Sequence, residues 1–307
     1  MRKLDRSLFL SVLAIAGALV CSTAAPRAFS AASELPQSKT RNVYVSITDK
    51  AGAPAKDVTI NDITVREDGQ AREVLSVAPA RTPMRIALLI DNSNITQALT
   101  SEIRTGMTAF INGIFKASPD STMSIATFGD RPTPVQEFTS AVPVLLKAAQ
   151  KTFPMRGSGA YLLDAVFDAS KALRKAPAER QLIVAFVDES GEEFSNSSRQ
   201  QVIEALRASG ASLWVVVLQS TSTNMGTSEA RDRAALVGDV TVQSGGTSLA
   251  ILNRIALTGK MAELAGMITS QFQITYGRTD QMIPPSKLDI QLTRKDLKIL
   301  APHWAGQ

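Results

Sequence analysis

Residues 86–95 read IALLIDNSNI, an apolar run that stops at Asp91, with Ser93 two positions further on. A stretch this apolar, without polar alternation, predicts a strand buried on both faces, and such strands belong to parallel sheets covered by helices on each side. The run delivers one carboxylate and one hydroxyl to the carboxyl end of the sheet, where open α/β folds keep their ligand sites. A second run, residues 182–187 (LIVAFV), ends the same way at Asp188. Two carboxylates at the tips of two parallel strands suit a divalent cation.

The rest of the chain sets these strands in context. From residue 42 the sequence alternates with period two through VYVSIT, VTINDITVRED and REVLSVA, punctuated by Gly-Ala-Pro and Asp-Gly turns, which predicts antiparallel strands. From residue 84 strands alternate with helices. Ile103, Met107, Phe110, Ile111, Ile114 and Phe115 mark one helix face. Further strands are predicted at 123–128, 135–138, 182–188, 213–218 and 240–242. Helices are predicted at 142–151, after Gly159, around Val202 and Leu206, and at 259–270. The fold class expected is α/β: a doubly wound, mainly parallel sheet with helices on both faces, flanked by small antiparallel β segments at both ends. The expected boundaries are a signal peptide at 1–30, a tether at 31–41, an N-terminal β unit at 42–82, the α/β domain at 83–271, and a C-terminal β hairpin and tail at 272–307. The terminal hairpin is expected to pack near the first β unit.

The signal is read from a basic start (Arg2, Lys3, Arg6), an apolar stretch over residues 8–20 and small residues around Ala28, Ser30 and Ala31. The stretch is short for a membrane span, so no stable membrane insertion is expected after cleavage, and the address is secreted or periplasmic. Val20 precedes Cys21 where a lipoprotein signal needs a small residue, which argues against lipidation. Removing residues 1–30 takes four basic residues and one acid from totals of 33 and 28, leaving a charge of +2 and no cysteine. That charge argues for no nucleic-acid partner, and the mature chain is held together without disulfides.

The segments LLIDNSN, RGSGAYLLDAV and FVDESGEE resemble, in order and spacing, the three upper loops of a von Willebrand factor type A (vWA) domain. More narrowly, the chain is similar to the bacterial VWFA-related family of exported proteins, through VSITDKAGAPAKDVTINDITVREDGQAREV before the domain and QFQITYG through PHWAG after it. The resemblance implies a metal-ion-dependent adhesion site, in which Mg²⁺ held by hydroxyls and carboxylates attracts an acidic group of a partner protein. The chain departs from that pattern. Asp91, Ser93 and Asp188 are present, but Ile95 stands where the first loop has a second serine, and Ala160 stands where the second loop has threonine. Mg²⁺ wants six oxygens in near-octahedral array, so the expectation is a vestigial or weak Mg²⁺ site and no cofactor bound with strength. Thr96 or Ser158 supplies an oxygen only if the loops shift register.

The leading functional reading is a non-enzymatic adhesion-type module that binds a protein through the loop crown, using Asn92, Asn94, Arg156, Ser158, Tyr161, Glu189 and Ser190. A polar, weakly charged contact surface is expected there, with Glu192 and Glu193 solvated. Two alternatives stand beside it: Mg²⁺-dependent capture of an acidic group, and a carboxylate hydrolase built on Asp91 and Asp188. The single histidine, His303, is remote in sequence, and no HExxH or nucleophile-elbow motif occurs. Gly157, Ser158 and Gly159 lack the lysine and third glycine of a nucleotide loop. With aromatics at 5%, a sugar-stacking platform is not expected, and Trp214 is assigned to the core.

Overall fold

A computed structural model describes residues 38–220, 226–279 and 283–305, so the expected signal, Cys21 and most of the tether lie outside the described residues. The chain opens with strands β1 (Ser38–Asp49), β2 (Ile63–Glu67), β3 (Gln70–Arg72) and β4 (Val74–Pro79). It continues through β5 (Met84–Ile90), α1 (Thr100–Ala117), β6 (Thr122–Thr127), β7 (Thr133–Thr139), α2 (Val142–Gln150), α3 (Leu162–Lys175), β8 (Arg180–Asp188), α4 (Arg199–Ser209) and β9 (Ser212–Leu218). Then come α5 (Ser228–Ala235), a π-helical turn and the short α6 (Thr241–Gln243), β10 (Ser248–Ile251), α7 (Leu257–Thr269), β11 (Phe272–Thr279), β12 (Leu288–Leu292) and β13 (Leu297–Leu300).

The central sheet has the order β10-β9-β8-β5-β6-β7, parallel throughout except for the antiparallel edge strand β7. Renumbered from β5, this is 3-2-1-4-5-6, the doubly wound order, so the mainly parallel α/β sheet expected from sequence is the one found. Alternation along the strands feeds two cores. Ile86, Leu88 and Ile90 pack with Met107 and Phe110 of α1 and Met261 and Leu264 of α7. Ala87 and Leu89 pack on the other face with Leu163 and Val166 of α3. Trp214 is fully buried in the first core, its indole N–H donating to Ser212 Oγ at 2.9 Å.

One predicted strand is wrong. Residues 240–242 are helical, and the sixth strand is β10, a few residues later. Leu236 and Val240, four apart, are both buried, and the Thr241 hydroxyl donates back to Val237 O and Gly238 O. That is helix periodicity with a back-bonded threonine, which a valine-threonine-valine triplet fits as readily as it fits a strand.

The two terminal β segments form one interleaved unit. β1 pairs antiparallel with β11 on one side and β13 on the other, while β11 also pairs with β4. β12 crosses to β2, which pairs with β3. The strands over 272–307 therefore do not pair with one another as a hairpin, and residues 38–41, expected in the tether, belong to β1 against residues 276–279. Val45, Ile47, Val65, Ile274 and Tyr276 fill the core of this unit. Glu67 is buried at its centre, accepting from Tyr276 Oη at 2.8 Å, Arg72 Nε at 3.0 Å and the guanidinium of Arg278, so the carboxylate is fully paired.

Candidate functional site at the carboxyl edge

The two acidic strand tips meet. Where β5 ends, the Asp91 amide donates to Phe186 O at 3.0 Å, continuing the parallel ladder to β8. The Asp91 carboxylate, 0% exposed, accepts from the Ser93 amide at 2.9 Å through Oδ1 and from the Asp188 amide at 3.1 Å through Oδ2. Asp91 thus clamps the two strand ends with both oxygens. Burial pushes its carboxyl pKa up, against the pull of Ser93 and the Asp188 amide. Asp188, buried beside it, accepts from the Ser190 amide at 3.0 Å and the Ser190 hydroxyl at 2.6 Å, closing its own turn.

The hydroxyls tell the rest of the story. Ser93 Oγ is buried and has no hydrogen-bond partner among the described residues. Ala160 is buried and offers no oxygen side chain. The Thr96 hydroxyl donates to Ser93 O at 2.8 Å, and the Ser158 hydroxyl donates to Met155 O at 2.8 Å, so neither turns toward the acids. The Ile95 methyl instead flanks Gly191, 3.5 Å from where a Cβ would stand there, with Ser93 Oγ 3.7 Å from the same point. The donor set comes to two carboxylates already engaged by amides, and one hydroxyl. For a cation that needs six oxygens, beside an isoleucine, that is a poor fit.

Three loops are laced into a crown around this point. The Asn94 amide donates to Ser158 O at 3.3 Å, Met155 N donates to Asn92 O at 2.7 Å, and Ala160 N donates to Glu192 O at 2.7 Å. Asn92, expected at the contact surface, is buried. Its side chain accepts from the Gly129 amide at 2.7 Å and donates to Phe153 O at 2.8 Å, which makes it a splice between loops. Gly129 is required there, since a Cβ would lie 2.6 Å from the Asn92 backbone. Glu189, half-buried, turns inward to cap the Ser220 amide at 3.1 Å. Asn94, Arg156 and Ser190 are exposed, and Ser158 and Tyr161 are partly so.

Several residues at the crown escaped the sequence reading. Glu193 is 6% exposed, not solvated: Oε1 accepts from Leu162 N at 3.0 Å, at the start of α3, and from Ser195 Oγ at 2.6 Å, while Oε2 has no partner among the described residues. A bridge between Ala160 and Glu193 sets that segment extended, so Glu192 points out and its neighbour points in. Desolvation drives the Glu193 pKa up to about 7, with Ser195 and Arg233 opposing. Arg233 of α5, also buried, reaches under the third loop to Gly191 O at 2.5 Å and Glu189 O at 2.9 Å.

The exposed surface of the crown is apolar where polar groups were expected. Ile95 is 45% exposed, Phe153 60%, Met155 46% and Phe194 48%. Phe194 lies over Gly159, where a Cβ would sit 2.2 Å from the ring, and its ring centroid is 6.2 Å from that of Tyr161. Arg104 stacks 4.5 Å from the centre of Phe153. The available signal was the pair of apolar residues before Arg156 and the phenylalanine set among acids and serines, in loops whose turns need neither.

No family model matches the chain, and no curated protein matches it. Among solved structures it is similar to a von Willebrand factor type A structure from Catenulispora acidiphila, at 9% identity over 88% of this chain and 75% of that one, with a TM-score of 0.49. It is also similar to the PilB minor pilin from Streptococcus sanguinis, at 11% identity and TM-score 0.46, of whose length it spans 63%. A third is the vWF domain of the type V pili tip protein Mfa5 from Porphyromonas gingivalis, at 9% identity over 62% of this chain and 96% of that one, with a TM-score of 0.49.

Proposed function

We propose that this chain is an exported, non-enzymatic protein-interaction module that seats its partner on the loop crown without a tightly held metal ion. The observation carrying this reading is that four large apolar side chains, Ile95, Phe153, Met155 and Phe194, stand exposed on three loops that hydrogen-bond to one another. Exposed apolar clusters rimmed by polar groups mark contact surfaces. Here Asn94, Arg156, Ser158, Tyr161 and Ser190 provide the rim. Asp91 and Asp188, both buried, hold the loops in place. The single histidine, His303, lies in the tail, where its amide donates to Gln243 O, so no histidine stands beside the two acids. In the described residues no helix is long and apolar enough to cross a membrane.

The test is capture from the native envelope fraction by wild type and by the pair Phe153→Ser and Phe194→Ser, each with and without EDTA. The expected result is one partner held by wild type in both conditions and lost by the double variant. Capture that ignores the substitutions, or that EDTA abolishes, overturns the reading. A second reading, Mg²⁺-dependent binding of an acidic group, is favoured by the unpartnered Ser93 hydroxyl beside the two acids. Calorimetry with Mg²⁺ and Mn²⁺ separates the two. The first reading expects no saturable heat, and the second expects a heat that Asp91→Ala removes.

A further inference from the structure

At the opposite end of the sheet, about 26 Å from the crown along the nine residues of β8, the β unit and the α/β domain form a half-open pocket of about 670 Å³. Its walls come from β1, the amino ends of β8 and β9, the end of α4, and the tail around Trp304. Four arginines line it (Arg41, Arg180, Arg207 and Arg278), against one glutamate, Glu179. Arg278 is committed to Glu67, and Glu179 accepts from the Asn42 amide group. Arg180 and Arg207 have no carboxylate partner among the described residues.

Arg180 is the informative one. It is 3% exposed, and its guanidinium donates to Ile268 O and, at 2.8 Å, to Gln271 Oε1, both neutral acceptors. Among the described residues its Nε–H has no partner, and neither has the Oε1 of the adjacent Gln181. The ring of Tyr44 stands 5.1 Å from the guanidinium carbon. Burial draws the Arg180 pKa down to about 10, so the group remains a cation at neutral pH. A buried cation without a counter-charge is costly, and it fills its cavity with a positive field that low dielectric leaves unscreened. At the rim, exposed Arg207 lies over the Trp304 ring at 4.9 Å, a flat guanidinium whose N–H edge can pair with two oxygens of a carboxylate or phosphate.

We infer that this cavity is a binding site for a small organic anion bearing a carboxylate or phosphate, with Arg180 supplying the field and Arg207 a direct contact. The volume falls in the range of small-molecule sites, and the walls combine aromatic faces with a few polar groups. The inference is independent of the crown reading.

The test uses sodium citrate and sodium phenyl phosphate as probes, in thermal-shift and calorimetric titrations of the full mature chain against NaCl of equal ionic strength. A saturable rise in Tm with either probe, absent with NaCl, is expected, and the probe that acts tells carboxylate from phosphate. Arg207→Glu, a change at an exposed position, is expected to raise the Kd at least tenfold, roughly the scale of losing one charged contact. Arg180→Met is expected to abolish the response; if that variant does not fold, Arg207→Glu decides alone. No saturable response to either probe, or an unchanged Kd in Arg207→Glu, overturns the inference.

Discussion

Replacing Glu193 by glutamine tests how the crown is built. The carboxyl group is almost wholly enclosed, and one of its oxygens lacks a partner, which suits a protonated acid better than a carboxylate. Its pKa rises from an ordinary 4.5 to about 7 on folding. At about 1.4 kcal/mol per pH unit, that amounts to about 3 kcal/mol. The sign follows from proton counting. Between pH 4.5 and 7 the folded chain holds more of this proton than the unfolded chain does, so stability contributed by the neutral form is complete below pH 4.5. It is lost as pH rises and levels off above pH 7. Glu193→Gln keeps an acceptor for the Leu162 amide and the Ser195 hydroxyl but cannot ionise. Urea unfolding followed by the fluorescence of buried Trp214, at pH 5 and pH 8, reads both proteins. The wild type is expected to lose about 2.5 kcal/mol more than the variant over that interval, since part of the effect is already lost at pH 5; Asp91, whose pKa is also raised, is common to both and cancels. A difference that does not change with pH, or one of opposite sign, refutes the reasoning. The opposite sign means that Arg233 holds the carboxylate ionised.

Other outcomes follow from single contacts. Ser93→Ala removes a buried hydroxyl that sits beside the Asp91 carboxylate without a well-formed hydrogen bond, so its effect on unfolding free energy should lie within about 1 kcal/mol of zero; a loss above about 2 kcal/mol in urea denaturation means that the hydroxyl is firmly bonded to the acid. Leu88→Ala, at a fully buried position in the central strand, should cost about 3 kcal/mol. A cost below about 1 kcal/mol contradicts its place in the core. Tyr161→Ala should weaken partner capture about tenfold or more, as loss of an aromatic anchor does, while Glu192→Ala should leave it unchanged. Equal effects in a binding titration count against this placement of the interface.

The strands of the central sheet were legible because both of their faces are buried, so β5, β8 and β9 announce themselves as uninterrupted apolar runs. The helices were legible through periodicity, as at Ile103, Met107 and Ile114. The segment at 240–242 was not, because three residues are too few to distinguish the two periods. Convergence of Asp91 and Asp188 could be read from their positions at the ends of parallel strands. The inward turn of Asn92 and Glu193 could not: each depends on an amide brought from another loop, Gly129 in one case and Leu162 in the other. Nor do neighbouring acids such as Glu192 and Glu193 differ in any local property. Their fates are set by a bridge to Ala160, a contact between loops more than thirty residues apart in the chain.

The interleaving of β1 with β11 and β13 has a consequence for how this protein matures. Lying between β11 and β13, β1 cannot find either neighbour until residues 272–300 are available, so this unit closes late and over long loops. Until then β1 is an open edge, ready to recruit a foreign strand. A translation product stopped before residue 272 keeps that edge open, and aggregation is its expected fate.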